Sequence, residues 1–268
     1  MDKSTCSCAD LPLLFFSRFA RCRLWPPSSH MQEEGLVAYY SFNQCDARDD
    51  SGKGSNGAMY GDIQCWCGIE DDGLLFDGIN DFIEFEGLVN RYFGTTDFTV
   101  SFYFKTEKQS AFAQSMLSKR ELCDEYSHLD LLLDQSDRIV DTRLYENPAK
   151  YYDEISPELD STRWMHFALT REGFEAKTYI NGVPQKRGFR CSGVDISNET
   201  LLSFSNSPCL RGGRAERFKG VLDELRIYDY ALPEEAVWAL YSRYPVENAQ
   251  QDCYASRFLP GEIQGVGD

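Results

Sequence analysis

The clearest periodicity in the chain lies at residues 97–105, DFTVSFYFK, where Phe98, Val100, Phe102 and Phe104 alternate with Thr99, Ser101 and Lys105. A repeat of two places successive side chains on opposite faces of a pleated strand, so this segment predicts a strand with one face on a core. Similar β-rich runs predict strands at 36–42 (LVAYYSF), 74–77, 81–86, 113–119, 128–134 and 138–145. Further strands are expected in WMHFALTRE at 164–172, in FEAKTYI at 174–180 and in RFKGVLDELRIY at 217–228. Asn181-Gly182 between apolar runs is a strong hairpin signal, because both residue types tolerate positive φ. The stretch DARDDSGKGSNG at 46–57 reads as a long loop.

One segment reads as a helix, 233–243. Pro233 suits the first helical position, and Glu234 and Glu235 complement the positive end of the macrodipole. Leu232 is a poor N-cap, so the helix is expected to depend on packing through Val237, Trp238 and Leu240. Many strands, Gly-rich turns and one short C-terminal helix predict an all-β, two-sheet antiparallel sandwich. Residues 1–33 do not share the pattern. Their apolar run, 11–16, is shorter than a secretory signal requires, and Arg18, Arg21 and Arg23 follow it closely. The expected division is a segment outside the domain at 1–33 (a degenerate signal, a misassigned start or an appended leader), a single domain at 34–245, and a tail or linker at 246–268. No segment approaches the roughly 20 apolar residues that cross a bilayer.

Composition narrows the partners. With 43 Asp and Glu against 27 Lys and Arg, the formal charge is −16, which repels a phosphate backbone and excludes nucleic acid as the expected partner. Ten cysteines favour an oxidising compartment, hence a secreted or cell-surface protein. Bridges are expected among Cys45, Cys65, Cys67, Cys123, Cys191, Cys209 and Cys253. Local spacing points to Cys45 with Cys65 or Cys67, and to Cys191 with Cys209, although connectivity is not fixed by sequence. Zinc is the weaker reading, since Cys65-Trp66-Cys67 lacks the usual spacing and no second ligand pair follows.

The motifs LVAYYSFN, D-x-S-G-x-G-x-N-G at 49–57, GLLFDGINDFIEF at 73–85, DFTVSFYFK, WMHFALTR, YINGV and FKGVLDELRIYDYALPEEAVWALY at 218–241 occur in an order that resembles LamG-like jelly-roll domains of the concanavalin A-like superfamily. The resemblance covers about residues 34–245. It implies a jelly roll, a place in large secreted or surface proteins of bacterial type, and roles in adhesion or sugar binding. The cysteine set is richer than the family's common pattern. The family hosts many functions, so the fold does not choose a ligand.

The resemblance also implies a structural calcium ion. Asp223 alternates with Val221, Leu225 and Ile227 and is therefore expected on the apolar face, where a carboxylate needs hydrogen bonds, a counter-charge or a metal. Calcium takes six to eight oxygen ligands. The expected set is Asp50, Asn56 and Asp223 through side chains and Gly52 through its carbonyl, with Asp77 a lesser candidate. The other reading is that Asp223 accepts backbone N–H groups and the loop is a Gly/Asn turn.

No catalytic constellation is found. The E-x-D-x-x-E pattern of laminarinase-type enzymes is absent, as is G-x-S-x-G. His166 reads as a structural strand residue, and His128 has no recognisable partner. Trp66, Tyr145, Tyr151 and Tyr152 fall in or near expected loops, whereas Trp164 and Trp238 read as core. The expected function is a non-catalytic extracellular binding or adhesion module, carbohydrate-recognising and calcium-stabilised, within a multidomain protein, with a glycan or surface-protein ligand. The alternatives are a purely structural spacer and a divergent glycoside hydrolase.

Overall fold

A computed structural model describes residues 34–106, 110–134, 136–160, 163–173, 175–188, 194–249 and Cys253. Sixteen strands form two eight-stranded sheets. The first sheet contains β1 (Leu36–Tyr40), β3 (Gln64–Cys67), β4 (Asp72–Asp77), β6 (Phe98–Thr106), β11 (Met165–Glu172), β12 (Glu175–Ile180), β13 (Val183–Gly188) and β16 (Lys219–Tyr228). Its order is β13-β12-β11-β6-β16-β4-β3, with β1 also on β16. The second sheet contains β2 (Gly57–Tyr60), β5 (Phe82–Phe85), β7 (Gln114–Lys119), β8 (His128–Asp134), β9 (Ile139–Asn147), β10 (Lys150–Ile155), β14 (Leu202–Phe204) and β15 (Glu216–Arg217). There the order is β10-β9-β8-β7-β14-β5-β2, with the short β15 running parallel to β7. The two-sheet jelly roll with one C-terminal helix expected from the alternation is what the chain forms.

The alternation in 97–105 works as anticipated. Phe98, Val100, Phe102 and Phe104 are all fully buried in the main core, where Phe102 meets Phe167 at 5.4 Å and Phe204 meets Phe218 at 5.3 Å between ring centroids. Tilted and edge-on aromatic contacts of this kind add to simple area burial. Asn181 (φ 51°) and Gly182 (φ 73°) make the turn between β12 and β13, as the hairpin signal required.

Helix α1 (Glu234–Arg243) lies on the outer face of the first sheet, packing Ala236, Val237 and Leu240 against Ala168, Tyr179 and Tyr228. Two expectations about it need correction. Pro233 is the N-cap rather than the first helical residue, and Trp238 is 51% exposed rather than core. Ala236, Val237, Leu240 and Tyr241 form the buried stripe, and Trp238 falls beside it.

A second correction concerns β16. Its first half pairs with β4, through Lys219 to Leu222, and its second half with β1, through Leu225 to Tyr228. At the change of partner the register against β6 slips between Asp223 and Arg226, and Glu224 adopts φ 55°. This β-bulge switches the alternation. Leu222, Leu225 and Ile227 enter the main core, while Val221 packs outward with Tyr103, Trp164 and Tyr241. Asp223, opposite Tyr103, therefore shares the outer side with Val221 and not the core row with Leu225 and Ile227.

Candidate functional site

The residues expected to bind calcium can be placed individually. Asp223 is fully buried, and its carboxylate accepts N–H bonds from Ile69 at 2.8 Å, Glu70 at 3.3 Å and Glu224 at 2.8 Å. Burial first, then the neighbouring Glu224 carboxylate, raises its pKa well above the usual range against the pull of those N–H groups. Asp50 accepts from the Ser41 amide and hydroxyl at 3.1 and 2.6 Å. The Asn56 side-chain oxygen faces the Asp49 amide at 2.9 Å. Gly52 sits in the same turn at φ 74°, its amide donating to Asp49 O at 3.3 Å. Asp77 caps the following turn through Ile79 at 2.6 Å and Asn80 at 3.3 Å. The loop is organised by Asp49, which accepts from Tyr39, Ser51 and Ser55. Asp223 has the backbone N–H partners of the alternative reading, while Asp50 and Asn56 are held by hydrogen bonds within the 39–57 segment.

Among the described residues, three disulfides are formed. Cys45–Cys65 follows the expected local pairing. Cys209 does not pair with Cys191, as the spacing had suggested, but with Cys123. The loop after β7 and the short 3-10 turn Pro208–Leu210 meet over Leu132, with Cys123, Cys209, Leu210 and Ala215 in one apolar cluster. Cys191 lies outside the described residues. Cys67 joins Cys253, a link of 186 residues that local spacing could not disclose. Among the described residues, one group of three metal-type side chains converges, Cys45, Cys65 and Asp72, and the disulfide occupies both of its sulfurs.

The densest arrangement of polar and aromatic groups lies on the outer face of the second sheet, across β8, β9 and β10. Register places His128 beside Tyr145 and Tyr145 beside Tyr151; Asp130 beside Arg143 and Arg143 beside Asp153; Leu132 beside Asp141 and Asp141 beside Ile155. Between them, Leu129, Leu131, Val140, Leu144 and Tyr152 turn into the core. Alternation thus builds a grid of three rows, one aromatic, one charged, and one with Asp141 between Leu132 and Ile155.

The aromatic row is a continuous stack. His128 and Tyr145 lie 4.9 Å apart with planes 8° from parallel, and Tyr145 and Tyr151 lie 4.8 Å apart at 16°. β10 is the edge strand, so within the sheet no further strand flanks Tyr151. In the adjoining rows Arg143 pairs with Asp141 at 2.5 Å, and the Tyr145 hydroxyl donates to Asp153 at 3.0 Å. Burial pushes the Asp141 carboxyl up to about 6, opposed by the Arg143 guanidinium and helped by the neighbouring Asp153 carboxylate. His128 is held down to about 4, by burial and then by the Arg120 guanidinium. Arg120 itself pairs with the buried Asp130 at 2.6 Å and ties down the 120–127 loop through the Leu122 and Asp124 carbonyls.

The sequence places Tyr145 at the end of an expected strand and both Tyr145 and Tyr151 in or near expected loops. They stand on β9 and β10, whereas Tyr152 is a core residue and Trp66 packs half-buried under the C-terminal segment. The missed signal was alternation on both sides of Asn147-Pro148, which marks a hairpin. His166 is the structural residue expected, fully buried with Nε2 2.8 Å from the Ser101 hydroxyl.

Comparison with known proteins supports the same architecture. The binding domain of Paraclostridial Mosquitocidal Protein 1 superposes with a TM-score of 0.65 at 18% identity, over 80% of this chain and 53% of that one. Domain 4 of AbnA, a GH43 extracellular arabinanase from Geobacillus stearothermophilus solved with arabinotriose, gives 0.62 at 21% identity, over 77% and 98%. The binding domain of Botulinum Neurotoxin DC in complex with SialylT gives 0.62 at 13%, over 80% and 52%. The chain thus spans about half the length of the toxin binding domains it resembles. No curated protein sequence matches it. At these identities the superpositions speak to the fold, and the family is fixed by the sequence pattern of residues 77–237: the chain belongs to the concanavalin A-like lectin/glucanases superfamily.

Proposed function

We propose that the chain is a non-catalytic, extracellular glycan-binding module whose ligand lies on the outer face of β9 and β10, beside the buried outward side chains of β8. The observation that carries this reading is the ring stack ending at edge-strand Tyr151, with Arg143, Asp141 and Asp153 in the adjoining rows. A pyranose presents an apolar C–H face to an aromatic ring and a rim of hydroxyls that donate to carboxylates and accept from guanidinium. Solved relatives of the fold carry arabinotriose and SialylT, which makes a glycan the leading ligand class. Three disulfides suit an oxidising compartment.

The carboxylate geometry favours binding over hydrolysis. Glycosidases hold their two carboxyl groups about 5–9.5 Å apart to admit the anomeric centre and, in inverting enzymes, a water. Asp141 gives one oxygen to Arg143 and keeps the other buried, so it presents no free carboxylate oxygen across which to place a glycosidic bond.

The test is retention on an immobilised panel of oligosaccharides, comparing the full chain with Tyr151→Ala and with Trp238→Ala. Trp238 is exposed on α1, at the opposite face of the sandwich, and serves as the control. The expected result is retention of the parent and of Trp238→Ala, with loss in Tyr151→Ala. Equal retention of all three proteins places the ligand elsewhere, and no retention of any favours the spacer role.

A further inference from the structure

The charge arrangement on this face says which glycans it accepts. Three cations of the grid and its margin are already paired with carboxylates. Arg143 is taken by Asp141 at 2.5 Å, Lys150 by Glu146 at 2.5 Å, and Arg120 by Asp130 at 2.6 Å with both side chains almost entirely buried. His128 stacks against Tyr145 with its Nδ1 3.3 Å from the Tyr126 carbonyl. Asp153 is exposed and takes the Tyr145 hydroxyl. Across the rows, carboxylates at Asp130, Asp141 and Asp153 outnumber guanidinium groups at Arg120 and Arg143, within a chain of net charge −16. An incoming carboxylate or sulfate would have to displace an existing ion pair and approach Asp153 directly. Like charges brought together in a partly desolvated contact are strongly disfavoured. Neutral hydroxyls meet no such barrier, because they donate to the exposed Asp153 while a ring face covers Tyr151.

We propose that this face is selective for uncharged, hydroxyl-rich glycans and discriminates against those bearing carboxylate or sulfate groups. The inference rests on the glycan reading above and adds the charge class of the ligand.

The test uses the full chain and paired probes: arabinotriose and a galactose-terminated trisaccharide as neutral members, the sialylated form of that trisaccharide and a galacturonic acid trimer as acidic ones. Affinities are measured by calorimetry at pH 7.5 and low salt, on the parent, on Tyr151→Ala and on Asp153→Lys. The expected result is at least one neutral probe bound tenfold or more tighter than its acidic counterpart, with that binding weakened in Tyr151→Ala. In Asp153→Lys, whose exposed position tolerates the change, the ratio of acidic to neutral affinity should rise by tenfold or more. Acidic probes bound as tightly as neutral ones, with Tyr151→Ala still weakening them, would overturn the charge selectivity while leaving the glycan face intact. Binding of none of the four by the parent overturns the glycan reading and this inference with it.

Discussion

At the scale of single residues, Asp223 shows how backbone donors satisfy a buried carboxylate. Three backbone N–H groups, from Ile69, Glu70 and Glu224, point at its oxygens. Replacing it by alanine strands those donors, and a buried unsatisfied donor costs about 1–3 kcal/mol. Asp223→Ala is expected to lose about 2–4 kcal/mol in urea unfolding. The melting temperature of the parent should not respond to calcium or a chelator through this residue, so the loss should be equal in both conditions. A calcium-dependent rise in the parent that disappears in Asp223→Ala would restore the metal reading, because binding only the native state raises stability by mass action. The sequence disclosed that Asp223 needed a partner, since a carboxylate among Val221, Leu225 and Ile227 announces one. It did not disclose which, because the donors come from residues 69 and 70, more than 150 positions away. Gly68 is a second witness: a methyl group there would overlap Asp223 Oδ2. Gly68→Ala is therefore expected to destabilise by a similar amount, read in the same unfolding assay.

At the scale of elements, what was legible is what repeats. The β6 alternation, the Asn181-Gly182 hairpin and the long last strand were all visible as patterns of two. The features that depend on a break in the pattern were not. The bulge at Glu224 occurs because β16 exchanges β4 for β1 along its edge, and no local residue signals that exchange. The β10 strand was hidden because KYYDEI buries Tyr152 and Glu154 while exposing Asp153 and Ile155, so its buried row mixes an aromatic with a carboxylate. The Cys123–Cys209 bridge was equally hidden, since it joins loops 86 residues apart. That bridge pins the loop whose Arg120 holds Asp130, at the margin of the glycan face. Removing it with Cys123→Ser and Cys209→Ser together should cost about 2–4 kcal/mol, mostly by releasing loop entropy in the unfolded chain. Amide exchange across residues 120–127 should accelerate in the double variant, while β6 and β11 in the middle of the first sheet stay protected.

At the scale of the whole molecule, the first sheet carries a buried polar layer beneath α1. The Tyr103 hydroxyl donates to the Leu240 and Tyr241 carbonyls near the end of α1, at 3.3 and 3.1 Å, and Arg226 stacks on Tyr39 at 4.2 Å while pairing with Glu224. His166 stands in that layer, 4.7 Å from the Tyr103 ring, and burial followed by the Arg226 charge lowers its pKa to about 3. The consequence for pH can be worked through. In the unfolded chain His166 binds a proton near pH 6.5, whereas in the folded chain it stays neutral down to about 3. Its depressed value means that its contribution to stability is complete above pH 6.5 and is lost as pH falls through the window from 6.5 to 3. Between pH 6.5 and 5 the loss amounts to about 2 kcal/mol. Asp141 has the opposite sign: its folded value of about 6 exceeds the unfolded one, so its contribution is complete near pH 4 and is lost as pH rises to 6. The two effects are separated by variants and not by the parent's pH profile alone. Urea unfolding of the parent and of His166→Gln at pH 7 and pH 5 should show the stability gap between them narrowing in acid by about 2 kcal/mol, while the gap to Asp141→Asn shifts the other way. A gap to His166→Gln that stays constant across that range would mean that His166 takes up its proton in the folded state, and that the layer under α1 admits a charge it is built to exclude.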